Sequence, residues 1–221
     1  TTIRGYVTDI ITDLTIDWLK NKRNKEKPFL MMYLHKAPHR PWWPSPEKFK
    51  EYSKKTFPLP ETLFDDYSNR SSAAKSAEMN LLNDLRYGHD SKIRPQTLES
   101  MLEVEPFVKP YDWGGSDGFT TSYVRFDEKQ KELYDPVIDS INIWFKNNWG
   151  NLSTEEKMEW KYQRYMQDYL GCISSVDENL GRVLDYLKDN DLEENTIVVY
   201  TSDQGFYLGE HGWFDKRFIY D

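Results

Sequence analysis

The feature that most constrains this chain is an apolar run at residues 196–201, in which β-branched and aromatic residues follow one another almost without a polar break. Such a run predicts a strand buried on both faces, as in a parallel sheet covered by helices. A carboxylate, an amide and a glycine follow at once as Asp203, Gln204 and Gly205. In open α/β sheets, ligands bind at the carboxyl ends of the strands. The run therefore predicts a fold class and the position of a site.

Cationic residues follow this oxygen-rich segment closely. His211, Lys216 and Arg217 stand a short distance downstream, with Gly209 and Gly212 among them. Carboxylate and amide oxygens suit a hard cation such as calcium, whereas Lys and Arg side chains hold anions. The pattern predicts a site that a hard metal and an anionic substrate can share.

A second apolar run, residues 29–34, has the same design and leads into a cationic loop. The four prolines of residues 38–46 forbid a continuing helix or a central strand and stiffen the loop. They display Lys36, His39 and Arg40 at the end of a predicted strand. We interpret this loop as a second wall of the site.

The remaining organisation is predicted from periodicity. Apolar residues spaced three and four apart indicate an amphipathic helix over residues 6–19 and a long helix from Glu155 to Leu187, with Ser153 or Thr154 as its cap. Between them, residues 48–151 predict an irregular excursion with a polar helix only near residues 71–85.

Tryptophans of the excursion allow two interpretations. Trp113, Trp144 and Trp149 either stack on sugar rings or pack the excursion against the domain. Packing is the more frequent role of such residues.

Charge and cysteine content exclude some classes of protein. Lys and Arg total 29 against 37 Asp and Glu, which gives a net charge of −8 and argues against a nucleic-acid partner. The single cysteine, Cys172, excludes an internal disulfide framework and falls within the long predicted helix, as a small core residue would. No apolar stretch has the length of a transmembrane helix.

The motifs together resemble the sulfatase family of the alkaline-phosphatase superfamily. The resemblance is carried by Ala37-Pro38-His39, Ser202-Asp203-Gln204-Gly205, Gly209-Glu210-His211-Gly212 and Asp215-Lys216-Arg217. It implies an α/β fold, namely part of an alkaline-phosphatase-like sandwich whose mainly parallel central sheet is covered by helices. It also implies hydrolysis of sulfate esters, with a sulfated carbohydrate as substrate, and an exported protein of periplasmic, extracellular or lysosomal type.

The resemblance assigns roles to individual residues. Asp203 and Gln204 would bind one calcium ion per catalytic domain, although Gln204 stands where Asn or His is more frequent. Lys216 would contact the sulfate, and His39, or else His211, would protonate the leaving group. Further substrate contacts are expected from three cationic residues, Lys36, Arg40 and Arg217.

The nucleophile of the family has no counterpart in this chain. Sulfatases use a formylglycine made from Cys or Ser in a Cys-x-Pro-Ser-Arg-like motif, and the surroundings of Cys172 do not match that motif. We therefore expect the chain to be the central part of one catalytic domain, inactive alone, whose amino-terminal and carboxyl-terminal parts lie elsewhere in the same enzyme. Its expected parts are residues 1–47, 48–151 and 152–221.

Two alternatives stay open. A phosphodiesterase or phosphonate hydrolase of the same superfamily would share the strand-end metal site and bind a second metal. A non-catalytic carbohydrate-binding domain would use the aromatic residues alone and need no metal.

Overall fold

A computed structural model describes residues 3–101 and 118–218, and its longest element is a helix of 36 residues, α7 (Thr154–Asp189). The helix begins with a capping box. Glu156 N donates to Ser153 Oγ at 3.2 Å, and Ser153 N donates to the Glu156 carboxylate at 2.7 Å. Both the long helix and its cap are thus confirmed.

Six shorter α-helices precede α7 in the described residues, and the first two of them pack against it. In chain order the helices are α1 (Val7–Asp17), α2 (Pro46–Tyr52), α3 (Ser72–Ser76), α4 (Pro95–Met101), α5 (Gly118–Tyr123), α6 (Glu128–Asn148) and α7. A π-helical turn, Trp18–Lys22, extends α1. None of the helices in the described residues is both long and apolar enough to cross a membrane.

The excursion is more regular than the sequence predicted. Its last part forms α6, a helix of 21 residues whose capping box pairs Asp127 with Gln130. Pro136 lies inside this helix, and a proline there argues against a helix when only the sequence is considered. The polar helix expected at residues 71–85 is wrong beyond its first turns, since only α3 is helical there.

The buried face of α1 also differs from the prediction. Its fully buried residues are Thr8 and Thr12, whereas Val7 and Leu14 are 53% and 49% exposed. The polar face lies against α7, where Asn179 Nδ2 donates to the Asp9 carboxylate at 2.8 Å. Periodicity shows which side of a helix is apolar, but it does not show which side faces a neighbouring element.

Neither predicted strand is paired or buried within the described residues. Residues 29–34 and 196–201 lie outside any strand, and Leu30 and Ile197 are 90% and 93% exposed. Exposure alternates along the first run, because Phe29, Met31 and Tyr33 are half-buried whereas Leu30, Met32 and Leu34 are exposed. Phe29 and Tyr33 contact Trp18 and Thr12 of the first helical segment. The expected burial on both faces is not seen within the described residues, although the alternation is that of a strand.

The sheet that the described residues form is a small antiparallel pair. β1 (Tyr207–Leu208) pairs with β2 (Phe214–Asp215). The sandwich with a parallel sheet is therefore not seen in the described residues, which are mainly helical.

The core lies on both sides of α7. One apolar cluster joins Tyr165 of α7 to Trp42 and Phe214, and a second joins Phe49 of α2 to residues of α6 such as Phe145. α7 passes close to the proline loop at Gly171, where a Cβ atom would lie 2.8 Å from Pro44 Cγ. A glycine inside a predicted helix indicates close packing, and the contact at Gly171 confirms it.

Candidate active site

The two loops that carry the predicted site residues meet around the buried indole of Trp42. Its ring centroid lies 6.2 Å from that of Phe206 and 6.5 Å from that of Phe214. The Arg40 guanidinium lies over the Phe214 ring, with Cζ 5.2 Å from the centroid. Nζ of Lys216 lies 5.8 Å from the Phe206 centroid. The structure therefore brings the loop of Arg40 against the segment of Lys216.

Hydrogen bonds to backbone carbonyls hold the proline loop in place. Trp42 Nε1 donates to Pro38 O at 2.8 Å, and the hydroxyl of Tyr134 donates to Pro44 O at 2.6 Å. Proline supplies no backbone N–H, but its carbonyl still needs a donor when it is buried. Side chains from the loop itself and from α6 supply those donors.

A buried carboxylate, Asp90, holds Arg40. Arg40 Nε donates to Asp90 Oδ1 at 2.6 Å, its Nη2 donates to Oδ2, and the backbone N–H of Arg86 donates to Oδ2 at 2.7 Å. Burial alone would raise the pKa of Asp90, but Arg40 and His89 outweigh it and hold that pKa well below its usual range. Arg40 was expected to bind substrate, whereas its charge is already matched within the chain.

The ionic contacts continue into α7. Lys92 Nζ donates to Asp90 O at 2.9 Å and lies 3.0 Å from Asp168 Oδ2. Arg164 Nη2 donates to the other carboxylate oxygen of Asp168 at 2.6 Å. All of these side chains except Arg40 are almost fully buried. A continuous buried network, Arg40–Asp90–Lys92–Asp168–Arg164, thus joins the proline loop to α7.

Sequence reasoning missed the network beyond Arg40. The missed signal is on α7, where Arg164 and Asp168 stand among the apolar residues that face the core. Charged residues on the apolar face of a helix are buried only when they are paired. Asp90 and Lys92 lie in an irregular segment and carry no comparable signal.

The histidines and the lysine of the proline loop have different surroundings. His39 and Lys36 are exposed, and His39 Nδ1 lies 2.7 Å from Arg40 O. With that nitrogen engaged, Nε2 of His39 is the ring atom left to face a ligand. Burial lowers the pKa of His35, and neither of its ring nitrogens bonds to another described residue.

Lys216 and Arg217 also differ. Asp215 is buried, adopts a positive φ of 71° and accepts a hydrogen bond from Arg217 Nε at 3.0 Å. Arg217 nevertheless remains mostly exposed, at the rim of the loop. Lys216 is half-buried beside Phe206, whose ring in turn packs against Trp42.

His211 connects its own turn to residues 62–67 through three contacts. Its Nδ1 lies 2.7 Å from Asp65 Oδ2, its backbone N–H donates to Thr62 Oγ1 at 3.0 Å, and its carbonyl accepts from the Tyr67 hydroxyl. Burial acts to raise the pKa of Asp65, but the hydrogen bonds from His211 and Tyr67 and the charge of Arg70 outweigh it. The pKa of Asp65 is therefore below its usual value. These contacts are structural, and a catalytic role for His211 stays a prediction.

Asp203 and Gln204 are exposed at the end of the extended run. Their side chains make no hydrogen bond within the described part of the chain, which leaves the Asp203 carboxylate and the Gln204 amide oxygen available to a ligand. The donors fit a hard cation in kind, but calcium takes six or more oxygen ligands. Among residues 3–101 and 118–218, no group of three or more His, Cys, Asp or Glu side chains is placed to hold a metal.

The three tryptophans of the excursion have separate outcomes. Trp149 is 1% exposed and packs in the core, whereas Trp144 is 40% exposed. Trp113 lies outside the described residues.

Comparison with known proteins decides the family. A family model described as Sulfatase matches residues 2–218. The chain belongs to the sulfatase family. Among relatives of this sulfatase chain, a protein of Bacteroides thetaiotaomicron named N-acetylglucosamine-6-O-sulfatase is 42% identical over 218 residues, which are 99% of this chain and 36% of that protein. Human iduronate 2-sulfatase is 39% identical over 59 residues, or 27% of this chain and 11% of that enzyme.

A solved structure also resembles the sulfatase chain. It superposes with a TM-score of 0.82 at 41% identity and covers all of this chain and 42% of its own. That protein was solved in complex with its substrate, D-glucosamine-2-N,6-O-disulfate. The present chain therefore spans well under half the length of these relatives.

Cys172 has the environment of a core residue in this sulfatase. The thiol is buried inside α7, and burial raises its pKa far above the usual range. A thiol is nucleophilic as the thiolate, so Cys172 is poorly placed for nucleophilic chemistry.

Proposed function

We propose that this chain is part of a sulfuric ester hydrolase that removes sulfate from a sulfated carbohydrate, with 6-sulfated glucosamine as the substrate class. The observation that carries the proposal is the convergence of the Arg40 loop and the Lys216 segment around Trp42. Support for the substrate class comes from the name of the bacterial relative and from the ligand of the solved relative.

The reaction needs several groups around the sulfate. A nucleophile attacks sulfur, the bond from sulfur to the ester oxygen breaks, and the departing alcohol takes up a proton. The exposed His39 imidazole, with Nδ1 engaged by Arg40 O, would give that proton from Nε2. Lys216 would hold a sulfate oxygen as a point charge, and Lys36 and Arg217 would contact the rest of the anion from the rim.

Arg40 is assigned a different part. Because Asp90 already matches its charge, we infer that Arg40 fixes the loop and thereby the direction of His39. The nucleophile is proposed to be a formylglycine outside these residues, so that the 221 residues alone would not turn over substrate.

Asp203 and Gln204 would hold calcium together with oxygen ligands from outside the described residues. Bound calcium would neutralise charge on the sulfate oxygens. The chain's own contribution is two exposed oxygen donors at the end of an extended segment.

The exposed apolar runs suggest how the rest of the protein is arranged. Residues 29–34 and 196–201 are extended, apolar and without strand partners among the described residues. Large contiguous apolar surface marks an interaction site. We propose that both runs become strands of a covered, mainly parallel sheet, and that residues 1–47, 48–151 and 152–221 form the central part of one catalytic domain.

Sulfate release by the full-length protein tests the function. N-acetylglucosamine 6-sulfate is the substrate, and His39→Ala and Lys216→Ala are the variants. We expect kcat to fall about 100-fold or more for His39→Ala, since general acid catalysis contributes about that much. Lys188→Ala, which removes an exposed lysine of α7, is the control and should match the parent enzyme.

The same assay can reject the proposal. Full activity of both variants would overturn the residue roles. Hydrolysis of phosphodiesters in place of sulfate esters would favour the phosphodiesterase alternative, and sugar binding without any hydrolysis would favour the binding domain. For the metal, calcium titration of the protein and of Asp203→Ala should show binding in the first and a clear weakening in the second.

A further inference from the structure

We propose that the cleft between α2, α6 and α7 is a second binding site, which takes a sulfated oligosaccharide. The cleft has a volume of about 830 Å³, within the usual range of ligand sites. The ligand proposed for the cleft, a sulfated oligosaccharide, rests on the substrate class given under the proposed function. Pro46, the last proline of the proline loop and the first residue of α2, lines the cleft, so the cleft adjoins one end of the loop that forms a wall of the proposed active site.

A flat aromatic platform forms one part of the cleft. Trp144 of α6 stacks on Trp160 of α7, with ring centroids 5.6 Å apart and planes 6° apart. Stacking fixes the plane of the Trp144 indole, and 40% of the residue nevertheless remains exposed. A rigid, open indole offers a large apolar surface at small entropic cost, which suits the C–H face of a sugar ring.

Cations form another part. Lys50 and Lys54 line the cleft and are exposed. Their neighbours Lys48 and Lys55 pair with Glu178 and Glu51, whereas neither Lys50 nor Lys54 forms an ion pair with another described residue. The two lysines therefore keep their charge available for sulfate groups.

Arg164 adds a buried donor to the lining of the cleft. The residue is 4% exposed, and its Nη1 and Nη2 donate to Gln167 and Asp168. Its Nε is buried and has no hydrogen-bond partner among the described residues. An unpaired buried donor is costly, and an acceptor entering the cleft would satisfy it.

Carboxylates complete the lining. Glu47 and Glu132 also line the cleft, and their carboxylates would accept hydrogen bonds from sugar hydroxyls. Cations for sulfate, carboxylates for hydroxyls and an indole for the ring together favour a sulfated sugar over a simple polyanion.

Binding and kinetics of the full-length enzyme test the site. The probe is a heparin-derived tetrasaccharide with 6-O-sulfate groups, compared with its desulfated counterpart. Variants are Trp144→Ala and the pair Lys50→Gln with Lys54→Gln, and the control is Ile143→Ala, which removes an exposed apolar side chain of α6 outside the cleft. Binding is measured in the His39→Ala background, so that the probe is not consumed.

We expect Trp144→Ala to weaken tetrasaccharide binding about tenfold, as the loss of an aromatic anchor does. The lysine pair should weaken it and reduce its salt dependence, and Ile143→Ala should leave it unchanged. In the active enzyme, Trp144→Ala and the lysine pair should raise KM for the tetrasaccharide while kcat/KM for the monosaccharide sulfate stays at the parent value.

Other outcomes would overturn the proposal. Unchanged binding in both cleft variants refutes the site, and equal binding of the desulfated sugar refutes the role of sulfate. If Trp144→Ala fails to fold, the exposed lysine pair decides the matter alone. If the cleft variants weaken binding but the parent protein has no sulfatase activity, the binding site is supported and the proposed function is refuted.

Discussion

Replacing Asp90 by Asn tests whether the buried network holds the proline loop. The Asp90 side chain is fully buried and matches the charge of Arg40, whose side chain is 16% exposed. An amide at this position places an N–H₂ group among donors from Arg40 and from the backbone of Arg86. Removing one partner of a buried pair typically costs about 3–5 kcal/mol, and we expect a loss of that size.

Urea unfolding of the full-length protein, followed by tryptophan fluorescence, measures the loss. A double-mutant cycle with Arg40→Gln isolates the pair, and we expect a coupling of at least about 1.5 kcal/mol, within the range for contacting residues. Asp177→Asn, at an exposed position of α7, is the matched control and should change stability by less than about 0.5 kcal/mol.

The pH dependence has a definite sign. Because the pKa of Asp90 is lowered in the folded protein, its stabilising contribution is complete above the unfolded pKa of about 3.9 and is lost as pH falls below that value. The difference between the parent protein and Asp90→Asn should be constant from pH 5 to pH 8. Costs that add within about 0.5 kcal/mol in the cycle would refute the reasoning.

Two further predictions concern α7. Burial lowers the pKa of Lys161 to about 7, so stability should rise with pH above that value by up to about 1.4 kcal/mol per pH unit, and Lys161→Met should remove that rise in pH-dependent thermal unfolding. Gly171→Ala should lower the melting temperature because its Cβ would lie 2.8 Å from Pro44 Cγ, whereas Gly181→Ala in the same helix meets nothing within 4 Å and should gain up to about 1 kcal/mol. A slope that survives in Lys161→Met, or a stabilised Gly171→Ala, would contradict these accounts.

Local patterns determined a large part of this protein. The long helix with its Ser153 cap, the buried Cys172 and the close approach at Gly171 follow from periodicity and residue size. The sulfatase motifs depend on short contiguous runs, and the family model that matches residues 2–218 confirms that interpretation. Such features are decided within a few turns of chain and need no knowledge of distant partners.

Tertiary structure decided which surfaces are covered and which charges are paired. The α1 helix buries Thr8 and Thr12 and leaves Val7 and Leu14 exposed, because a helical pattern carries no information about its neighbour. Residues 196–201 have the composition of a buried strand, yet they are exposed among the described residues, because a local pattern does not specify the neighbours that would cover it. Asp90 meets Arg40 across 50 positions of sequence, and the pair is stable only because folding removes both groups from water together.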